Sequence, residues 1–137
     1  MKISPNTQCP CHSGEKYKKC CQPYHKGIFP SNALKLMRSR YSAYALHLAE
    51  YIINSTHPNN PDYTDETTIW KQSILEFCQN TQFLGLKISE FIEGETIAYV
   101  TFEANLSQNS MREKSRFLKS EGKWLYESGD FTDKGSH

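Results

Sequence analysis

Apolar residues recur along most of this chain at spacings that name its elements. Over residues 31–54, Ala33, Leu36, Met37, Tyr41, Tyr44, Ala45, Leu48 and Ile52 fall three and four apart, the spacing of one helix face. Ser31 or Asn32 is placed to cap it. Residues 55–65, STHPNNPDYTD, carry two prolines and read as a loop. A second helix is predicted from about 66 to 80, with Trp70, Ile74, Phe77 and Cys78 on its inner face. The period then changes to two. Strands are predicted over 83–92 (Leu84, Leu86 and Ile88 alternating), 96–106 (Ala98, Val100, Phe102, Ala104 and Leu106 on one face), 111–120 and 123–129. Glu93-Gly94 and Glu121-Gly122 supply tight turns between them. Connections this short make neighbouring strands antiparallel. Helices first and an antiparallel meander afterwards is an α+β pattern, with the sheet curved around the helices.

The first 29 residues show neither period, and they differ in charge. The 137-residue chain is nearly balanced at +1. Residues 1–29, however, hold Lys2, Lys16, Lys18, Lys19 and Lys26 against Glu15 alone, and the acidic excess lies in the rest. The chain therefore divides into 1–29, a small basic segment, and 30–137, a main domain. The overall balance argues against a strongly basic nucleic-acid binder. No apolar run approaches the length of a membrane span. The lysine at position 2 is followed by no apolar stretch of a secretory leader, so a soluble, cytoplasmic protein is expected.

Four of the five cysteines, Cys9, Cys11, Cys20 and Cys21, fall in the basic segment, in the string CPCHSGEKYKKCC. Cysteines adjacent or one residue apart are poorly placed to bridge each other. Crossed bridges, Cys9 to Cys20 and Cys11 to Cys21, would need an oxidising compartment. Reactive free thiols are a further alternative. Two close thiolate pairs converging on one tetrahedral ion account for the pattern better, and a cysteine-only site favours Zn²⁺. Such a site is closed, so it orders the segment and performs no catalysis. Four thiolates around a divalent ion carry −2, which Lys16, Lys18 and Lys19 are placed to offset. His12 and His25 are spare ligands beyond a filled shell.

Cys9, Pro10, Cys11, Ser13, Gly14, Tyr17, Lys18, Cys20 and Cys21 match the SEC-C motif, the zinc-binding segment that ends the preprotein translocase ATPase SecA. The chain departs from it at His12, where glycine is usual, so a left-handed backbone there would strain the turn. PYHKG, ALKLMRSRYSAYAL, THP, E-x-S-x-F and G-x-W-x-Y extend the match: the chain resembles the YchJ-like family, which joins a SEC-C segment to an NTF2-like domain. That resemblance implies an NTF2-like curved sheet, bound Zn²⁺ on the four cysteines and, by analogy with SecA, a protein partner associated with chaperones or the ribosome. Some relatives carry a second SEC-C segment at the C-terminus; DFTDKGSH holds no cysteine for one.

NTF2-like sheets often close into a cone whose interior is a binding site. Candidate residues there are polar ones on inward faces: Glu113 and Ser115 with Phe117 on one strand, Trp124 and Tyr126 with Ser128 on the next, and Arg40 beside Tyr44 on the first helix. An inward Arg40 needs a partner, and Glu113 is the expected one, in a semi-buried and mainly structural pair. His47 and His57 are poorly placed for cone chemistry. No catalytic residue is assigned, since no nucleophile elbow, phosphate loop or second metal cluster appears. Two function classes follow, of which the first is the expected one and the second the alternative. In the first, the basic zinc segment is a docking module for a protein or ribosomal partner. In the second, the cone binds or transforms a small molecule, which needs a cavity of about 300 Å³ or more. RNA binding through Tyr17 and the neighbouring lysines is a weaker third.

Overall fold

The computed structural model describes residues 2–132. The tail from residue 133, including most of the cysteine-free terminus, lies outside the described residues. A knuckle at the N-terminus contains a 3₁₀ turn, Tyr17–Lys19, and leads into a short helix α1, Gln22–His25. Helices α2 (Ala33–Ala45), α3 (Ala49–Asn54) and α4 (Thr67–Gln79) follow, then strands β1 (Phe83–Ile92), β2 (Ile97–Leu106), β3 (Ser110–Ser120) and β4 (Lys123–Thr132). The four strands form one antiparallel sheet in the order β1-β2-β3-β4. The expected α+β meander is present.

Local chemistry explains most boundaries. Asn32 caps α2, its Oδ1 accepting from the Lys35 amide at 2.8 Å. The helix expected over 31–54 is instead two. The Leu48 amide donates to the Ala43 carbonyl at 2.8 Å and the His47 amide to Tyr44 at 3.2 Å. This is a Schellman stop with His47 at its left-handed position, φ 62°. The chain turns there, and α3 brings Ala49 and Ile52 into the interior beside α4. Glu121 and Gly122 both have positive φ, and the two-residue turn between Ser120 and Lys123 joins β3 to β4.

The inner face of β2 alternates as expected, with Ala98, Val100, Phe102 and Ala104 all buried. Its small residues pack in one cluster with Leu36, Met37 and Tyr41 of α2. Two expectations fail nearby. A register shift between Phe83 and Gly85 turns Phe83 toward the interior and leaves Leu84 58% exposed. On α4, Ile74 and Cys78 are buried but Phe77 is largely exposed, since it stands at the helix margin against Tyr44 and Phe83. Cys9, Cys11, Tyr17 and Cys21 belong to the same core cluster as Leu36, Tyr41, Val100 and Phe117. The 29/30 division marks a change in sequence character, while packing runs continuously across it.

Candidate metal centre and cone cavity

The knuckle gathers its four thiols by backbone hydrogen bonds. Cys9 donates to Glu15 at 2.8 Å, His12 to Cys9 at 3.1 Å and Cys20 to Tyr17 at 3.0 Å. The sulfurs of Cys9, Cys11, Cys20 and Cys21 then all lie within 4.8 Å of one another, with Cys11 to Cys20 at 3.5 Å and Cys20 to Cys21 at 3.9 Å. A tetrahedral ion with metal–sulfur bonds of about 2.3 Å sets its sulfurs about 3.8 Å apart, so the donor set fits one such ion. Three of the four cysteines are buried and Cys20 is partly exposed. Hydrogen bonds between the crowded thiols draw Cys11 and Cys20 below the ordinary thiol range and push Cys9 and Cys21 above it.

The groups around the sulfurs are not those expected. Lys16, Lys18 and Lys19 are exposed. The cation at the centre is Arg38 of α2, whose Nη1 donates to the Cys11 carbonyl at 3.2 Å and approaches its Sγ at 3.8 Å. Ser13 Oγ lies 3.2 Å from the Cys20 sulfur. His12 does adopt a left-handed φ, 62°. Neither spare histidine is a ligand; both tie the knuckle to the main domain. His12 Nε2 donates to the Phe83 carbonyl at 3.3 Å, and its ring meets Tyr41 edge-on. His25 Nε2 donates to the Ser39 carbonyl at 2.8 Å, which leaves Nδ1 to accept from the Tyr17 hydroxyl at 2.6 Å. Burial lowers the His25 pKa, in keeping with that neutral tautomer.

Between α2 and the concave face of the sheet lies a cavity of about 520 Å³. Tyr41, Tyr44, Phe83, Phe102, Phe117 and Phe131 are among its apolar lining. Glu113, Ser115, Tyr126 and Arg40 converge on it. Glu113 and Ser115 are buried on β3. Glu113 Oε2 accepts from both the Ser115 and the Tyr126 hydroxyls, the latter at 2.8 Å. Gly129 on β4 makes room for that carboxyl, since a Cβ there would collide with it. Burial raises the Glu113 pKa, partly offset by the two hydroxyl donors and by Arg40.

Arg40 and Glu113 are not a direct pair. Arg40 Nη1 donates to Ile52 O at 3.0 Å, Ser55 Oγ at 2.7 Å and Thr56 Oγ1 at 3.1 Å. The stop at His47 has folded the end of α3 back beside Arg40, where the guanidinium meets the Ile52 carbonyl together with the Ser55 and Thr56 hydroxyls, which also donate to that carbonyl. The guanidinium lies 4.5 Å over the Tyr126 ring, so Tyr126 stands between the two groups, face to Arg40 and hydroxyl to Glu113. Tyr44 lines the cavity as expected, wedged against Phe77 and Phe83. Trp124 does not line it. Trp124 pairs with Lys119 near the β3–β4 turn, in the packed core at the far end of the sheet. A register shift opposite Arg116 and Phe117 separates the Trp124–Tyr126 stretch from Ser128. His57 holds the bordering loop: its amide donates to Tyr126 O at 2.7 Å and its Nδ1 accepts from Asn59 at 3.0 Å. Sequence reasoning missed Arg38, Tyr41 and Phe83, whose roles depend on which elements meet.

Residues 32–129 match the model of the YchJ middle NTF2-like domain. The chain belongs to the YchJ family. The SEC-C motif model matches residues 6–23, which include all four cysteines. A UPF0225 protein of Pectobacterium carotovorum is 43% identical over 132 residues, spanning 88% of this chain and 81% of that one. A UPF0225 protein of Streptomyces coelicolor is 33% identical, over 94% of this chain and 99% of that one. Among solved structures, a SEC-C motif containing protein from Rhodopseudomonas palustris superposes with a TM-score of 0.80 at 30% identity, over 93% of this chain and all of that one. A second, from Psychrobacter arcticus, gives 0.75 at 26% identity, over 96% and 87%. YchJ membership and the NTF2-like fold thus agree with the helices and sheet described above. No helix among the described residues is long and apolar enough to cross a membrane.

Proposed function

We propose that this protein binds a small molecule in its cone cavity, and that the N-terminal cysteine knuckle is a zinc-ordered buttress behind the cavity wall. One observation carries the reading: an open volume of about 520 Å³ flanked by buried polar groups, where a merely structural cluster would be packed shut. That volume lies within the range of about 300–1,000 Å³ typical of ligand sites. Glu113 already accepts from the Ser115 and Tyr126 hydroxyls, and no histidine among the described residues lines the cavity to act as base beside them, so binding is favoured over catalysis. Zn²⁺ is the metal proposed for the four thiols, because a closed sulfur tetrahedron suits it, and the reduced thiols suit the cytoplasm. Elemental analysis of reduced protein, expected to give one zinc per chain, tests the metal. A thermal-shift screen of chemically diverse fragments tests the cavity. Hits are expected to stabilise the natural protein and not Ala104→Phe, which fills the space. A silent screen sinks the reading.

A second reading, docking of a protein or ribosomal partner on the basic segment, is favoured by two neighbouring exposed side chains. Ile28 and Phe29 are 62% and 60% exposed, and Lys123 lies 4.5 Å over the Phe29 ring. Affinity capture with the intact protein and with Phe29→Ser tests it. Partners retained equally by both leave no role for that surface, and capture of RNA that vanishes steeply with salt would indicate nucleic acid instead.

A further inference from the structure

Resting on the cavity reading above, we infer that the ligand is a small organic acid: a flat, apolar body bearing one carboxylate, received by Arg40 and Tyr44. Arg40 is 8% exposed, and among the described residues no carboxylate forms an ion pair with it. Its counter-groups are neutral oxygens, all three reached from Nη1. No acceptor among the described residues engages Nε or Nη2. A nearly buried guanidinium without an opposing charge is costly; Nε and Nη2 are not among the buried atoms left without a partner, so they face the open cavity, where an entering anion would supply that charge. Guanidinium and carboxylate also match in geometry, as paired N–H groups facing paired oxygens.

Tyr44 follows Arg40 by one helical turn on α2, so both side chains project from one face. Its ring is fixed by Phe77 and Phe83, yet its hydroxyl has no hydrogen-bond partner among the described residues. It is a second donor available in the same cavity. Glu113 is the group that would oppose an anion. Its Oε2 is occupied by two hydroxyl donors, and burial favours its protonated form. Both effects lessen its opposition to an anion. The walls argue for the rest of the ligand. Phe102, Phe117, Phe83 and Phe131 offer ring faces and no polar atoms, and Asp62 at the rim disfavours a second negative charge.

Calorimetric titration of the metal-loaded protein with 2-naphthoate, 2-naphthamide and 2-naphthylmethylamine tests the assignment. These three share one body and differ in charge. The acid is expected to bind at least about tenfold more tightly than the amide, and the amine not at all, since hydrogen bonds to a charged group are the stronger ones. Tyr44→Phe removes one hydroxyl and little packing. It should weaken naphthoate about tenfold and leave the amide unchanged, and Arg40→Lys should abolish the preference for the acid. Amide or amine binding as tightly as naphthoate, or naphthoate indifferent to Tyr44→Phe, overturns the organic-acid assignment while the cavity reading stands. Silence from all three probes likewise overturns the assignment, and a silent fragment screen overturns the cavity reading separately.

Discussion

His12 and Phe83, 71 residues apart in sequence, join the cysteine knuckle to the cavity wall: the imidazole Nε2 lies 3.3 Å from the Phe83 carbonyl oxygen. The Phe83 ring lines the cavity, and Tyr41, also a lining residue, meets the rings of both. The four thiols hold the turn that carries His12. Anything that loosens them therefore reaches the cavity through two contacts.

Metal removal is accordingly expected to lower the melting temperature and to weaken ligand binding as well. A structural metal contributes on the order of 10–16 kcal/mol to folding in small segments, and part of the order it imposes is expected to extend to Phe83 through His12. Thermal melts before and after chelation, with and without a cavity ligand, measure both effects. His12→Ala should cost about 1 kcal/mol, the worth of one hydrogen bond, with one metal per chain retained. A ligand response undiminished by chelation would show that knuckle and cavity are independent.

Arg38 opposes the charge of the thiolates from α2, through its contacts with the carbonyl and sulfur of Cys11. Arg38→Met keeps much of the side-chain volume and removes the donors. Loss of such an outer partner weakens metal affinity about 10–100-fold, and competition with a chromophoric chelator should show a loss of that order. Lys18→Gln, at an exposed position, should leave affinity unchanged. Equal effects from the two would reduce Arg38 to one charge among several.

The sequence revealed those parts of the protein that are specified locally. Cysteine spacing marked the four thiols that the fold gathers into one cluster, alternation from Ala98 to Ala104 marked the inner face of β2, and Glu121-Gly122 marked a turn. Arg38 was invisible because its importance arises only when α2 passes beside the knuckle. The Arg40 partners were misjudged for a related reason: the helical period continues through Leu48, and no glycine announces the stop at His47. Leu84 and Trp124 were misplaced because a register shift in β1, and the position of the cavity along β4, follow from pairing with other strands.

The stop at His47 carries a cost that substitution can remove. A non-glycine residue in the left-handed region is disfavoured by about 1–2 kcal/mol, and the added flexibility of glycine when unfolded returns part of that. His47→Gly is expected to stabilise the protein by about 0.5–1 kcal/mol, measured by urea unfolding. His12→Gly makes an informative contrast. It relieves the same backbone conformation but loses the Phe83 and Tyr41 contacts, so no net gain is expected. A gain at His12 and none at His47 would contradict both assignments.

Glu113 makes the fold sensitive to pH in a direction its environment fixes. Burial raises its pKa from the ordinary value of 4.5, so the folded state holds the proton more tightly than the unfolded chain. The resulting stabilisation is fully present below pH 4.5 and is lost as pH rises through the folded-state pKa. Glu113→Gln keeps an acceptor for the Ser115 and Tyr126 hydroxyls and cannot ionise. Its melting temperature should match that of the natural protein near pH 4 and exceed it by a widening margin toward pH 8. The opposite trend, with the natural protein gaining on the variant as pH rises, would mean that Arg40 acts across Tyr126 strongly enough to hold Glu113 ionised. The carboxyl would then oppose an anionic ligand.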